Sequence, residues 1–182
     1  MAQRISEPRE FYFIPLKRAA RYLVGKPKAA LRFRRQKHVD KITVFVDSDF
    51  AGDPVSRKST TGLVAQIGNH TLKSGSKLQS LTALSVGEAE FYAVVKGCPV
   101  GQCLRSTYQD LGIPMKVEIQ SDGSTANSLT DRLGAGQRSK HIDTRYFWIQ
   151  ERVQDGDLNI KNVLTAKNCT DVGTKPVYAS VL

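Results

Sequence analysis

The sequence predicts an α/β protein with a mixed sheet, on three observations. Runs of β-branched and aromatic residues alternate with helical runs in the order three strands, helix, strand, helix, helix, strand. Gly68-Asn69 stands between the second and third strand runs as a hairpin turn signal, which makes the first three strands an antiparallel meander. Two strands end at aspartates, and strand ends are where ligand sites gather in open α/β sheets. With 182 residues, 40% of them hydrophobic, the chain can bury a core, which excludes disorder throughout.

Taken in order, Ile14 to Val24 places Leu16, Ala19, Ala20 and Leu23 at near-helical spacing beside Lys17, Arg18 and Arg21, and Gly25-Lys26-Pro27 ends the run. Lys41 to Val46 alternates as a strand that stops at Asp47-Ser48-Asp49. Thr61 to Ile67 is the second strand and His70 to Lys73 a weaker third. Ser85-Val86-Gly87-Glu88 fits a capping box, in which Glu88 folds back to the Ser85 N–H, and the helix continues through Lys96. Pro99 is expected to kink or break it before it resumes from Leu104 to Leu111. Gly112-Ile113-Pro114 stops the helix, and Lys116 to Ser121 is a short strand ending at Asp122. Helices over 124–133 and 143–153, separated by Gly134-Ala135-Gly136, and a last strand over 158–164 complete the order.

The charge is unevenly placed. Of the net +10, residues 1–41 hold 12 Lys+Arg against 3 Asp+Glu, a net of +9, and the remaining residues hold 15 against 14. The amphipathic helix and the cluster Arg32, Arg34, Arg35 and Lys37 with Phe33 interleaved fit contacts to phosphates; a solvated charged face is the alternative. Cys98, Cys103 and Cys169 have neither a disulfide framework nor a paired zinc spacing, so reduced structural thiols are expected. No apolar run approaches the roughly 18 residues of a membrane span, and residues 1–10 lack the hydrophobic stretch of a secretory signal, so no membrane partner is expected.

Four acids stand out: Asp47 after the first strand, Glu90 early in the helix, Asp122 after the fourth strand and Asp171 past the last. Hard divalent cations such as Mg²⁺ prefer carboxylate oxygens, and two of them can serve phosphodiester hydrolysis. Residues two apart on a helix point about 200° apart, so Glu88 and Glu90 cannot both face one site. Glu88 is taken by the cap, and Glu90, with small neighbours Ala93 and Gly97, is left for the site. Spacing alone leaves open that these acids merely end strands and cap helices, as Asp49 and Asp53-Pro54 do in turns.

Several segments together resemble a known family. Asp47-Ser48-Asp49-Phe50-Ala51-Gly52-Asp53, Arg57-Lys58-Ser59-Thr60-Thr61-Gly62, Ser76-Lys77-Leu78-Gln79, Ala83-Leu84-Ser85 and Glu88-Ala89-Glu90-Phe91 follow one another in the family's order. So do Lys140-His141-Ile142-Asp143 with Arg145-Tyr146, and Asp171-Val172 with Thr174-Lys175-Pro176. They resemble the ribonuclease H domain that ends the polyprotein of copia-type LTR retrotransposons. Leu16-Lys17-Arg18 and Arg21-Tyr22-Leu23 before Gly25 are similar to the connection from a reverse transcriptase.

The resemblance implies a ribonuclease H-like fold with a five-stranded mixed sheet. It divides the chain into a basic connector over 1–40 and the ribonuclease H domain over 41–182. It implies endonucleolytic cleavage of the RNA strand of an RNA·DNA hybrid by a two-metal mechanism, with Asp47, Glu90, Asp122 and Asp171 holding two Mg²⁺, Mn²⁺ being the alternative ion. The reverse transcriptase of the same polyprotein becomes a partner. The location expected is intracellular, in a cytoplasmic retrotransposon particle or the nucleus.

Arg57, Lys58, Lys77, Arg32, Arg34 and Arg35 are the candidates for phosphate contacts, and Ser48 and Ser124 for 2′-hydroxyls. His141 is either a proton shuttle or a structural partner of Asp143. Tyr146, Phe147 and Trp148 are read as core. Departures from the family pattern are Gly87, Gly123-Ser124 after Asp122, Gly173, and no Trp near Ser74. They raise a second reading, an inactive nucleic-acid-binding or scaffolding module from a decayed copy. An integrase-like nuclease is a third, disfavoured by the Lys-His-Ile-Asp and Thr-Lys-Pro segments.

Overall fold

Five strands form one sheet in the computed structural model, which describes residue 10 and residues 13–28, 30–124, 128, 142 and 146–174. They are β1 (Lys41–Asp49), β2 (Thr60–Ile67), β3 (His70–Leu78), β4 (Lys116–Ser121) and β5 (Asn159–Asn162), in the spatial order β3-β2-β1-β4-β5. The meander β1-β2-β3 is antiparallel, while β4 runs parallel to β1 and β5 parallel to β4. The mixed α/β sheet expected from the sequence is therefore present.

Two compact units divide the chain, Met1–Arg35 and Gln36–Leu182. In the first, α1 (Phe13–Gly25) buries none of its residues. Its apolar side chains Ile14, Leu23 and Val24 are exposed along with its cations. The second unit holds the sheet, α2 (Val86–Asp110), α3 (Trp148–Gln154), a 3₁₀ turn (Thr165–Lys167) and the short α4 (Asp171–Thr174).

Alternation in β1 sends Ile42, Val44 and Val46 into the core, where they meet Leu63, Ala65, Val117, Ile119 and the α2 residues Phe91, Ala93 and Val94. Helix α2 approaches the sheet at two glycines. A Cβ on Gly97 would lie 2.6 Å from Val46 Cγ1, and one on Gly101 would lie 2.5 Å from Val117 Cγ1. Tyr146, Phe147 and Trp148 pack on this core, Phe147 at 5.7 Å from Phe91 and Tyr146 at 5.3 Å from Tyr92.

Three local expectations need correction. Helix α2 runs unbroken from Val86 to Asp110 with Pro99 inside it. Pro99 lies on the exposed side, and the buried face on either side of it holds the helix to the sheet despite the missing backbone donor. Strand β3 extends to Leu78, well beyond Lys73, because pairing with β2 carries it, across a register shift at Ala65/Gln66. Strand β1 continues through Asp49, so Asp47 sits within it, paired opposite Gly62.

The sheet also carries a buried acid that spacing does not single out. Glu118, in the middle of β4, is 3% exposed and takes ion pairs from Lys41 at 2.8 Å and Lys161 at 2.9 Å, besides a 2.7 Å hydrogen bond from Gln120. Burial alone would raise its pKa, but the bonds from Lys41, Lys161 and Gln120 outweigh it and hold the carboxyl at about 2. β1, β4 and β5 are thereby tied together.

Candidate active site

Three of the four expected acids meet at one end of the sheet. Asp47 comes from β1, Glu90 from the start of α2 and Asp122 from the residue after β4. One carboxylate oxygen from each lies within 4.8 Å of the others. Asp47 is 2% and Glu90 7% exposed, and Asp122 is half-buried.

The cap of α2 decides which glutamate reaches this point. Ser85 Oγ accepts from the Glu88 N–H, and Glu88 Oε2 accepts from the Leu84 N–H at 2.8 Å, one residue earlier than the Ser85 donor expected. The other Glu88 oxygen accepts from Tyr92 Oη at 2.6 Å. Glu88 is spent on structure, and Glu90 faces the acids. Gln79 fixes this end of the helix, its amide donating to Thr61 Oγ1 and to the Ala89 carbonyl.

Gly123 sets the closeness of the third acid. A Cβ there would stand 2.9 Å from Glu90 Cγ and 3.0 Å from its Cβ, so only a glycine lets this loop close on the helix. The Gly123 N–H is held by Ser121 Oγ.

Burial, and then the charges of Asp47 and Asp122, push the Glu90 carboxyl up to about 7; the Ser48 hydroxyl and N–H beside it pull weakly the other way. Among the described residues, Ser48 is the donor beside the buried Glu90 carboxyl, and its bonds there are loose in geometry. A buried carboxylate set among like charges is costly unless a cation joins it. The donors are all carboxylate oxygens, the set that hard divalent cations take. The residues present therefore fit such an ion.

Asp171 is not in this close group; it opens α4, which packs on β2, β1 and β3. Asn168 Nδ2 donates to the Val46 carbonyl at 3.1 Å, where β1 has run past its pairing with β4, and so secures this segment beside Asp47. Thr174 Oγ1 donates to Asp47 Oδ2.

The cationic candidates divide by unit. Arg57 is exposed and Lys58 half-buried in the β1–β2 loop, and Lys77 is exposed on β3 opposite Thr61, which itself pairs with Ser48; all stand at the acidic end of the sheet. The loop is built tightly. Asp53 Oδ2 accepts from the Ser56 N–H and hydroxyl, the Asp53 carbonyl accepts from the Arg57 N–H, and Arg57 takes φ 58. Asp53 thus serves the turn, as expected, and Asp49 accepts from the Thr60 N–H. Arg32, Arg34 and Arg35 are exposed in the first unit. Ser124 is exposed after Asp122, while Ser48 is buried against Glu90. His141 with Asp143, and all but residues 124 and 128 of the expected 124–133 helix, lie outside the described residues.

Sequence reasoning passed over Gly123, Asn168 and Thr174 as contributors to the site. Gly123 and Thr174 stood in quoted segments, yet their contacts are long-range and no spacing encodes them.

No protein-family model matches the chain. Among curated proteins it is 33% identical over 174 residues to the retrovirus-related Pol polyprotein from transposon TNT 1-94 of Nicotiana tabacum, covering 95% of this chain and 13% of that protein. The chain thus spans about an eighth of the length of the curated relatives it matches. Its fold matches LC11-RNase H1, isolated from compost by a metagenomic approach, with TM-score 0.54 and 17% identity, covering 75% of this chain and 94% of that one. The same protein in complex with an RNA/DNA hybrid matches with TM-score 0.51 and 16% identity, covering 73% and 93%. With its strand order, its acids at the sheet end and its relatives taken together, the chain belongs to the copia-type retrotransposon Pol family, as a ribonuclease H-fold domain of it.

Proposed function

We propose that this domain hydrolyses the RNA strand of RNA·DNA hybrids during retrotransposon reverse transcription. The observation that carries the reading is the convergence of Asp47, Glu90 and Asp122, two of them buried, at one end of the sheet. In this reading the three carboxylates, with Asp171 arriving from α4 as the fourth, hold two Mg²⁺ ions, or Mn²⁺ in their place. When bound, such ions activate a water and neutralise charge at the phosphate.

The chain's own groups do the rest. The acids present their oxygens at one sheet end, on rigid β1 and α2, so little reorganisation is needed. Arg57, Lys58 and Lys77 stand at that end to take phosphates without reading sequence, and Ser124 is open to the 2′-hydroxyls that mark RNA. The basic unit over 1–35, and the connector over 1–40 that the sequence delimits, supply further phosphate contacts through Arg32, Arg34 and Arg35 and lead from the reverse transcriptase of the same polyprotein. His141 is a proton-moving accessory in this reading.

The test is incubation of the full chain with a labelled RNA·DNA hybrid and Mg²⁺, beside Asp47→Asn and Glu90→Gln proteins and a single-stranded RNA control. Hybrid-specific cleavage absent from both variants is the expected result. Binding of the hybrid with no cleavage in Mg²⁺ or Mn²⁺ would replace this reading with the inactive module.

A further inference from the structure

We infer that Thr174 is a positioning residue for the site, a hydroxyl clamp that fixes the Asp47 carboxylate in the orientation a cation needs. This deepens the proposed function and rests on it for the role of the cation. The clamp itself is a feature of the folded chain alone.

Four contacts place that hydroxyl. Gly62 lies opposite Asp47 in the β1–β2 ladder, and its missing side chain makes the room: a Cβ there would come within 2.8 Å of Thr174 Cγ2 and 2.9 Å of the Thr170 carbonyl. The Thr174 methyl therefore rests on the Gly62 backbone, which leaves the hydroxyl pointing at the neighbouring strand. Asn168 anchors the approach to α4 by donating to the Val46 carbonyl, one residue before Asp47. Asn168 is steadied in turn by the Thr170 N–H and hydroxyl, both donating to its side-chain oxygen. On the far side Ser76 Oγ of β3 donates to the Gly173 carbonyl at 2.5 Å.

A short helix pinned to β1, β2 and β3 has no freedom to turn its last side chain away. The single proton of Thr174 Oγ1 has two acceptors in reach, Asp47 Oδ2 and the Asp171 carbonyl at 3.3 Å. The Asp47 carboxyl oxygen, the nearer of the two, takes it. One oxygen of Asp47 is thereby held, and the rotation of the carboxyl group about its bond is fixed. Hydrogen bonds to a metal-binding side chain act in this way, setting its angle and its readiness. Asp171 stands one turn earlier on the same pinned helix, so the clamp also registers α4 against β1.

The experiment compares Thr174→Val, which keeps the methyl packing and loses the donor, with Thr174→Ser, which keeps the donor. In EDTA, urea unfolding of Thr174→Val, Asp47→Ala and the double variant reads the clamp without any cation. Non-additive midpoints support it, and additive ones overturn it. In Mg²⁺ without substrate, the concentration giving half of the rise in melting temperature should increase about tenfold in Thr174→Val and stay within about twofold in Thr174→Ser. With hybrid, kcat should fall in Thr174→Val while KM holds. A Thr174→Val protein with wild-type Mg²⁺ dependence and kcat overturns the positioning role. If Mg²⁺ fails to raise the wild-type melting temperature at all, the metal reading falls, and the EDTA cycle still decides the clamp.

Discussion

Two buried carboxylates on the same framework have opposite surroundings. Glu118 in β4 is met by Lys41, Lys161 and Gln120, and its carboxyl sits at about 2. Glu90 on α2 is met by Asp47 and Asp122, and its carboxyl sits at about 7. Both are desolvated, so burial does not tell them apart; the sign of the neighbouring charge does. Glu118 draws its cations from the neighbouring strands β1 and β5, whereas Glu90 has two carboxylates beside it. The acid among cations ties the sheet together, and the acid among acids marks the candidate site.

Substitution breaks the comparison most directly. Glu90→Gln should cost about 1,000-fold in hybrid cleavage, about 4 kcal/mol of barrier, while leaving the metal-free fold as stable as before or more so, because a repelled charge has gone. Glu118→Gln should do the reverse: cleavage within about twofold of wild type, and about 2 kcal/mol of unfolding free energy lost, since two lysines lose their charged acceptor. Steady-state cleavage and urea denaturation of the two variants side by side check both halves.

The pH dependence in EDTA sharpens it further. Glu90 has an ordinary value of 4.5 when unfolded and about 7 when folded, so the folded state holds a proton that the unfolded chain has released. Stability from this group is full below about 4.5, falls as pH rises to about 7 and is flat above, a change of up to about 3 kcal/mol. Glu118 runs the other way: its contribution is full above about 4.5 and is lost as pH falls towards 2. Urea midpoints measured from pH 3 to 8 should rise and then fall, and saturating Mg²⁺ should remove the fall on the alkaline side. A midpoint that climbs steadily from 5 to 8 in EDTA would mean that Glu90 is not raised.

Smaller effects probe how the cluster is packed and approached. Gly123→Ala should reduce cleavage about tenfold, because the new methyl must displace the Glu90 stem by overpacking worth about 1 to 3 kcal/mol; a variant with wild-type kcat would mean the loop yields freely. Arg57→Ala and Lys58→Ala should each weaken hybrid binding with no sequence preference and reduce the slope of log K against log salt by about 1. Filter binding at several salt concentrations reads that slope.

Much of this was open to a reader of the sequence. Strand β4 is legible at both ends because Pro114 and Asp122 bracket the alternating Val117 and Ile119, and the β2–β3 turn of the meander is legible from Gly68-Asn69, while the order that sets β4 beside β1 is not. The Glu88 and Glu90 assignment is legible because a capping box and the 100° helical step are local rules. What is not legible depends on contacts between distant segments. Pro99 looks like a break until Gly97 and Gly101 are seen seated on Val46 and Val117. Strand β3 looks short because its Ser74-Gly75-Ser76 stretch has little strand propensity, and pairing with β2 overrides it. Glu118 looks like a solvated strand residue, since its two lysines lie 77 and 43 positions away. Thr174 meets Asp47 across 127 residues, a separation that no periodicity carries.

Gln36 opens the second unit and also holds the tip of its β2–β3 hairpin. Its side-chain amide donates to the Ile67 carbonyl and its oxygen accepts from the Asn69 N–H, and a Cβ on Gly68, which takes φ 56, would collide with that oxygen. The residue thus replaces the neighbour that an exposed turn lacks. For anyone grafting this domain between polyproteins, the seam lies ahead of Gln36: a transplant begun at Lys41 leaves the clasp of the hairpin behind in the donor.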